Sequence, residues 1–412
     1  MRRWISRTVL LLSLTAFLVF GWWHPTAVAF TDEQKLVAEV WRLVDRAYLD
    51  DTFNHQNWWF IRQRVLKRQL PDKAAAYDAI QEMLESLGDP YTRLLRPDQY
   101  RSLQTNTSGA LTGVGLQIAQ DANSGYLRVI SPIEGSPAEQ AGIHSQDQIL
   151  KIDGISTLEL SLDEAAERMR GPIGTQVTLT VKPKQGARQD VDLVRDRITL
   201  NPVYAELRPQ PDKASIGYIR LSQFNANAPV ELAHALGQLE HQGANAYVLD
   251  LRNNPGGLLQ AGIEIARFWL EQGPIVYTVD RQGIQDSFEA TGQALTDAPL
   301  VVLVNQGTAS ASEILAGALQ DTGRAQLVGE RTFGKGLIQS LFNLSDGAGL
   351  AVTIARYETP SHHDINRLGI TPDKVVPLDT ITREQLGTAA DRQYQAAVKL
   401  LTQSSPILAG VS

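Results

Sequence analysis

Beyond Ile198 the chain alternates between short apolar runs, IGYIRL, AYVLDL, PIVYTV, LVVLV and LAVTIARY, and stretches with helical spacing near Val230 to Gln242, Leu258 to Leu270 and Ser312 to Gln320. Apolar runs of this length bounded by turn residues are buried strands, and their alternation with helices predicts an α/β core with several sheet strands. The segment Thr382 to Gln403 predicts a further helix, with Ala389, Ala390, Ala396, Ala397, Leu400 and Leu401 available for packing.

Two other textures precede this core. Thr31 and Asp32 open a helix in which Leu36, Val37, Val40, Leu43, Val44 and Ala47 recur at helical spacing. Helices are predicted around Trp58 to Leu70 and Lys73 to Leu87, ended by Gly88-Asp89-Pro90, and Trp41, Trp58 and Trp59 read as core or inter-domain packing. From Thr105 short strands and glycine turns take over: LTGVGLQI, GYLRVIS, SPAEQAGI, DQILKIDG, a helical patch SLDEAAERMRG, and VTLTVKP. A loop such as Gly113-Val114-Gly115 entering a strand can aim backbone N–H groups at an anion, and an exposed strand edge can accept an added peptide strand. The order of these pieces, above all SPAEQAGI followed by DQILKIDG, resembles a PDZ domain, with Thr112, Gly113, Val114, Gly115 and Leu116 as its carboxylate loop; HSQDQ departs from the pattern in lacking the glycine usual before the aspartate. The expected organisation is a multidomain α/β core (197–412) with an inserted PDZ-like β-rich domain (105–196) and an N-terminal helical module (30–104).

The totals narrow the chemistry. A formal net charge of −7 argues against a nucleic-acid partner, because phosphate binding rests on clustered Lys and Arg. The absence of cysteine removes disulfides, thiolate nucleophiles and Cys-ligated zinc, so covalent catalysis would fall to Ser, Thr, Lys or a carboxylate. MRRWISR, the apolar TVLLLSLTAFLVF and the small-x-small AVA at Ala27 to Ala29 read as an export signal over residues 1–29, with the mature chain starting at Phe30.

Three segments can carry a reaction. In GTASASEILAGALQD a strand runs through a Gly307 turn into a helix, and that geometry presents Ser310 or Ser312 near the positive end of the helix dipole. The alternative for either serine is an N-cap, with Glu313 completing a capping box after Ser310. Of the seven histidines none is placed to serve a serine, G-x-S-x-G is absent, and His362 and His363 in SHHDIN read as a solvated turn with no spaced third metal ligand. In RTFGKGLIQS, Lys335 lies between Gly334 and Gly336, which permit tight backbone approach, and among Phe333, Leu337 and Ile338, which would keep water away. A buried lysine can be neutral enough to deprotonate a serine, and Gln339 could hold its amine by a hydrogen bond. In LDLRNNPGG a strand ends in a polar turn whose backbone N–H groups could supply an oxyanion hole, while Asp250 and Arg252 read as a structural pair.

Together with the PDZ-like insert, LGDPYTRLLRPDQY and LGITPD, these segments resemble the carboxyl-terminal processing peptidases, serine proteases with a Ser/Lys dyad on an α/β core. The resemblance implies Ser310 as nucleophile, Lys335 as base, Gln339 as its orienting partner, and the amides of Gly256 and Ala311 as oxyanion donors, leaving Ser312 as a helix residue. It implies no cofactor and no metal. The run LSDGAGLAVTIARYETPSHHDINRLGITPD is most similar to the photosynthetic members, which trim the precursor of the photosystem II reaction-centre D1 subunit. The implied partner is a protein recognised at its carboxy terminus in the thylakoid lumen or periplasm, with any membrane association peripheral and through that substrate. Arg170, in MRGPIG at the end of the helical patch, is a candidate for reporting a bound peptide to Lys335. A peptide-binding or chaperone-like protein without activity is the competing reading, and it would be expected to lack Ser310 or Lys335.

Overall fold

The computed structural model of the protein describes residues 30–403 apart from 122, 211–214, 378–380 and 383–384. The stretch read as an export signal, with its cleavage site, lies outside the described residues. The amino-terminal part contains α1 (Asp32–Ala47), α2 (Trp58–Leu66), α3 (Lys73–Glu85), β1 (Arg93–Leu95) and α4 (Pro97–Ser108). The insert contains β2 (Ala110–Gly113), β3 (Leu116–Gln120), β4 (Leu127–Pro132), α5 (Pro137–Gln140), β5 (Gln148–Ile152), β6 (Ile155–Ser156), α6 (Leu162–Met169), β7 (Gln176–Lys182), β8 (Gln189–Val194) and β9 (Asp196–Thr199). The remainder runs β10 (Val203–Pro209), β11 (Ser215–Leu221), α7 (Ala228–His241), β12 (Ala246–Asp250), α8 (Leu259–Arg267), β13 (Pro274–Asp280), β14 (Gly283–Glu289), β15 (Leu300–Val304), α9 (Ala311–Asp321), β16 (Gln326–Gly329), β17 (Leu337–Asn343), β18 (Gly349–Glu358), β19 (Lys374–Val375) and α10 (Arg392–Gln403).

The central sheet has the order β10-β11-β12-β15-β16-β19. It is parallel except for β10, which runs antiparallel to β11. Every residue of β12 and β15 is buried, as the unbroken apolar runs predict for strands covered on both faces. Leu249 and Val302 point into a core with Leu236, Ile263 and Leu315 of α7, α8 and α9, while Val248, Val301 and Leu303 face Tyr394, Ala397 and Leu401 of α10. The helix expected from Thr382 begins only at Arg392, and Ala389 and Ala390 are exposed in the turns before it. Asp391 explains the difference: its carboxylate accepts the Tyr394 amide at 3.1 Å and the Gly387 amide at 2.9 Å, which caps the helix and pins the preceding turn.

The helical module does not close its own core. Thr31 and Gln34 form the capping box that starts α1. Val37, Ile80 and Met83 then pack with Leu344, Leu350 and Val352 of the β17–β18 hairpin. β1 pairs antiparallel with β18, so the segment between α3 and β1 is carried directly onto the strands of the α/β core. Trp58 is buried and stacks on Phe53, but Trp59 is 53% exposed, contrary to the packing role expected of it, because α2 buries only Trp58, Val65 and Leu66.

The insert packs Val129, Ile149 and Leu179 beneath a sheet of order β3-β4-β5-β7-β8. β3 is an edge strand. β2 and β9 pair antiparallel, Gly113 opposite Asp196, so the chain leaves for the insert and returns from it through one two-stranded neck.

Candidate active site

β15 leaves the central sheet at its carboxyl end, and the turn Asn305 to Ala309 delivers Ser310 to the N-cap position of α9. Its backbone is held at φ 57°, ψ −121°, a region L-residues rarely adopt. Three bonds hold this strained turn: Ala309 donates to the Asn254 carbonyl at 3.0 Å, Ser310 N–H to the Glu313 carboxylate at 2.9 Å, and Glu313 N–H to the Ser310 carbonyl at 2.8 Å. The amide of Glu313 donates to the Ser310 carbonyl, and Ser310 and Glu313 stand in the capping-box arrangement expected as the alternative for this serine. Ser312 differs. It is fully buried, and its hydroxyl donates to the Asn254 carbonyl at 3.0 Å.

Glu313 is the centre of the site. Its buried carboxylate also accepts the amides of Gly334 at 2.7 Å and Lys335 at 2.9 Å and the Thr332 hydroxyl at 2.5 Å. One carboxylate therefore ties the backbones of Ser310 and Lys335 together. The glycines beside Lys335 make the approach possible: a Cβ on Gly336 would stand 2.7 Å from the Asn366 nitrogen. Glu313→Gln keeps the shape but turns one acceptor end into a donor facing N–H groups. Losing even one or two charge-assisted bonds, each about 1.5 to 3 kcal/mol, predicts a fall in kcat on the order of tenfold or more. Steady-state kinetics with a melting curve would check it, and unchanged kcat would count against the clamp.

Burial, and after it the Arg93 guanidinium, hold the Lys335 ammonium below the ordinary lysine range, against the opposing pull of Asp89 and Glu313. The cover differs from the expected one. Phe333 is 56% exposed and shields nothing. The Tyr91 ring lies 5.1 Å from Lys335 Nζ instead, and Tyr357, fully buried, donates its hydroxyl to the Lys335 carbonyl and is in hydrogen-bond contact with Ser310. Burial, with Glu313 nearby, raises the Tyr357 phenol well above its usual value, so it remains a neutral donor.

The two amides expected at the oxyanion position are not equivalent. Gly256 lies against Ser310, with room for no side chain: a Cβ would stand 2.8 Å from that of Ser310. Its N–H, however, donates to Asn254 Oδ1 at 2.9 Å in an Asx turn, so the Ala311 amide at the start of α9 is the donor of the two that is left available. The turn is anchored from behind. Arg252, 2% exposed, forks onto Asp250 at 2.9 and 2.6 Å and onto Asp391 at 3.0 and 2.6 Å, and Tyr218 donates to Asp250 at 2.7 Å. Asp250 and Arg252 are structural, as expected; Asp391 is the partner sequence reading missed.

The model for peptidase family S41 matches residues 215–376, and a PDZ domain model matches residues 128–183. The chain is 63% identical over 397 residues to the carboxyl-terminal-processing protease of a Picosynechococcus species, covering 96% of this chain and 95% of that one. The chain belongs to the carboxyl-terminal-processing proteases of peptidase family S41. The protease is also 61% identical to its Synechocystis relative over 92% of this chain and 89% of the other. Among solved structures it resembles a photosystem II D1 C-terminal processing protease, with a TM-score of 0.57 and 42% identity over 87% of this chain and 98% of that one.

In the protease the loop Gly113 to Gly115 enters β3, as its sequence predicts. The Val114 carbonyl accepts Ala138 N–H at 2.9 Å, and the Gly115 carbonyl accepts Ile133 N–H at 2.9 Å and the Ser136 hydroxyl at 3.2 Å. In a trans peptide N–H and C=O point opposite ways, so with these carbonyls engaged the amides of Gly115 and Leu116 point away from Ala138, Ile133 and Ser136. Arg170 does not reach Lys335: it ends α6 beside Gly113 and donates to Glu167 at 2.9 Å. Gln339 sits on β17 opposite Thr353 and donates to its hydroxyl at 3.4 Å. His362 stacks on Tyr277 at 4.4 Å and meets Glu358, in a turn away from these residues.

Proposed function

We propose that the protein removes a carboxy-terminal extension from an exported precursor, with Ser310 as nucleophile and Lys335 as general base. What supports this most is the Glu313 carboxylate, which accepts from both backbones and sets a strained serine beside a desolvated lysine. The neutral amine takes the Ser310 proton as Oγ adds to the scissile carbonyl. The oxyanion rests on Ala311 N–H, joined by Gly256 N–H once it is released from Asn254. Collapse expels the amine, which takes the proton back from Lys335, and water activated by Lys335 then hydrolyses the acyl-enzyme. With both reacting groups present, nothing favours the non-catalytic reading. Following the solved relative named for it, the assigned substrate is the precursor of the photosystem II D1 subunit, met in the thylakoid lumen or periplasm. Mass spectrometry of that precursor incubated with the protein should give one shortened product and one short carboxy-terminal fragment. Stepwise loss of single residues would overturn an endopeptidase.

The insert should select free carboxylates. A terminal carboxylate gains a charge-assisted bond to the Gly115 and Leu116 amides worth about 1.5 to 3 kcal/mol, or roughly tenfold or more in binding, which an amidated end forfeits. Free-ended precursor peptides should therefore be cut faster than amidated twins. Joining β2 to β9 across the neck, without residues 114–195, should erase the difference. Equal rates in the intact protein would refute selection by carboxylate.

A further inference from the structure

The turn Gly88 to Thr92 belongs to the helical module, yet it meets the site at two points. Tyr91 covers Lys335 Nζ. Asp89 reaches behind Gln339: its carboxylate accepts the Thr353 hydroxyl at 2.6 Å, the Thr92 hydroxyl at 2.7 Å and the Tyr91 amide at 2.9 Å, while Thr353 N–H donates to the Thr92 hydroxyl at 3.0 Å. Thr353 is buried and accepts from Gln339 Nε2.

The direction of this chain is forced. A carboxylate only accepts, so Thr353 must donate its one proton to Asp89 and can only accept from its other neighbour. That neighbour is Gln339, which must present its NH₂ end. A bulge makes the pairing possible: the register shifts between Ile338 and Gln339, so that Gln339 lies opposite Thr353 and the apolar Ile354 is passed over. With one N–H turned to Thr353, Gln339 directs its carbonyl oxygen away from that hydroxyl, where it can accept from the base.

We propose that Asp89 and Thr353 are positioning residues of the catalytic centre, which fix the Gln339 carboxamide with its oxygen toward the Lys335 amine and thereby leave the amine lone pair for Ser310. The inference rests on the Ser310/Lys335 reading above. It gives the helical module a direct part in the reaction, through a turn that leads into β1 and its pairing with β18.

The test is kinetic, on a precursor peptide with a free carboxy terminus, with melting curves for every variant. Thr353→Val should lower kcat about tenfold, what one well-placed hydrogen bond is worth, with KM changed less than about twofold. Its sign in pH is distinctive. A freed carboxamide can turn its NH₂ end to Lys335 and disfavour the ammonium, moving the acid limb of kcat to lower pH, whereas mere loosening admits water and moves that limb to higher pH. Asp89→Asn should act in the same direction, Thr353→Ser should restore rate and limb, and Thr353→Val should add nothing to Gln339→Leu. A Thr353→Val enzyme with wild-type kcat, a limb displaced to higher pH, or a loss that adds to Gln339→Leu would each overturn the proposal. Turnover in Lys335→Ala would sink the dyad and this inference together; an inert Lys335→Ala beside an unaffected Thr353→Val sinks this one alone.

Discussion

Ser310→Ala and Lys335→Ala should each lose turnover by on the order of 10⁴-fold while melting close to the parent, because neither side chain holds the fold together. Ser312→Ala should keep its activity, since the hydroxyl it loses serves a carbonyl that Ala309 also serves. The pH dependence follows from the lowered lysine. Below its pKa in the folded protein the amine is protonated and cannot accept the serine proton, so the rate rises with pH through that value and then levels. Because the value lies below the ordinary lysine range, the plateau should begin at a lower pH than an exposed lysine would allow. A rate flat from acid to alkaline pH, or equal damage from Ser310→Ala and Ser312→Ala, would refute the dyad.

Arg252→Met should produce the opposite pattern, failing in architecture first. It leaves Asp250 and Asp391, both almost fully buried, facing each other without a counter-ion. Breaking a buried pair in this way costs about 3 to 5 kcal/mol, read as a drop in the denaturant midpoint. Turnover should fall with it, since Arg252 opens the turn that ends at Gly256. The acid limb of stability should change as well. Burial by itself would raise the Asp391 carboxyl, but Arg252 and the amides of Gly387 and Tyr394 outweigh it and hold it below the usual carboxylate range. Its contribution is thus present above the unfolded value and is lost as pH falls through the folded one. Arg252→Met should remove this protection, and a variant as stable as the parent across the acid range would refute the account.

The parts of the site that were legible in the chain are those written locally. Apolar runs marked β12 and β15, the strand-turn-helix marked Ser310 and Ser312 without choosing between them, a choice that only the family resemblance supplied, and two glycines marked the close approach of Lys335. Glu313 was visible as a cap partner, but its contacts with Thr332, Gly334 and Lys335 need a fold that returns the chain to α9. Tyr91, Thr353 and Asp391 were out of reach for the same reason, since Asp89 and Thr353 are 264 residues apart in sequence and Arg252 and Asp391 are 139 apart. The engagement of Gly256 was within reach, because Asn-Pro-Gly is a sequence in which an Asx turn can consume the amide two residues on. Alanines suggested a helix from Thr382, where the acidic residue at 391 decided its start.

The Arg252–Asp391 pair also sets a clock. A chain made or threaded across a membrane amino end first completes Ser310, Lys335 and the Gly256 turn well before Asp391 arrives. Until then Arg252 has only Asp250, and α10, which covers one face of the central sheet, is missing. Full anchoring of the turn that carries Gly256 therefore waits for Asp391, which follows both Ser310 and Lys335 in the chain.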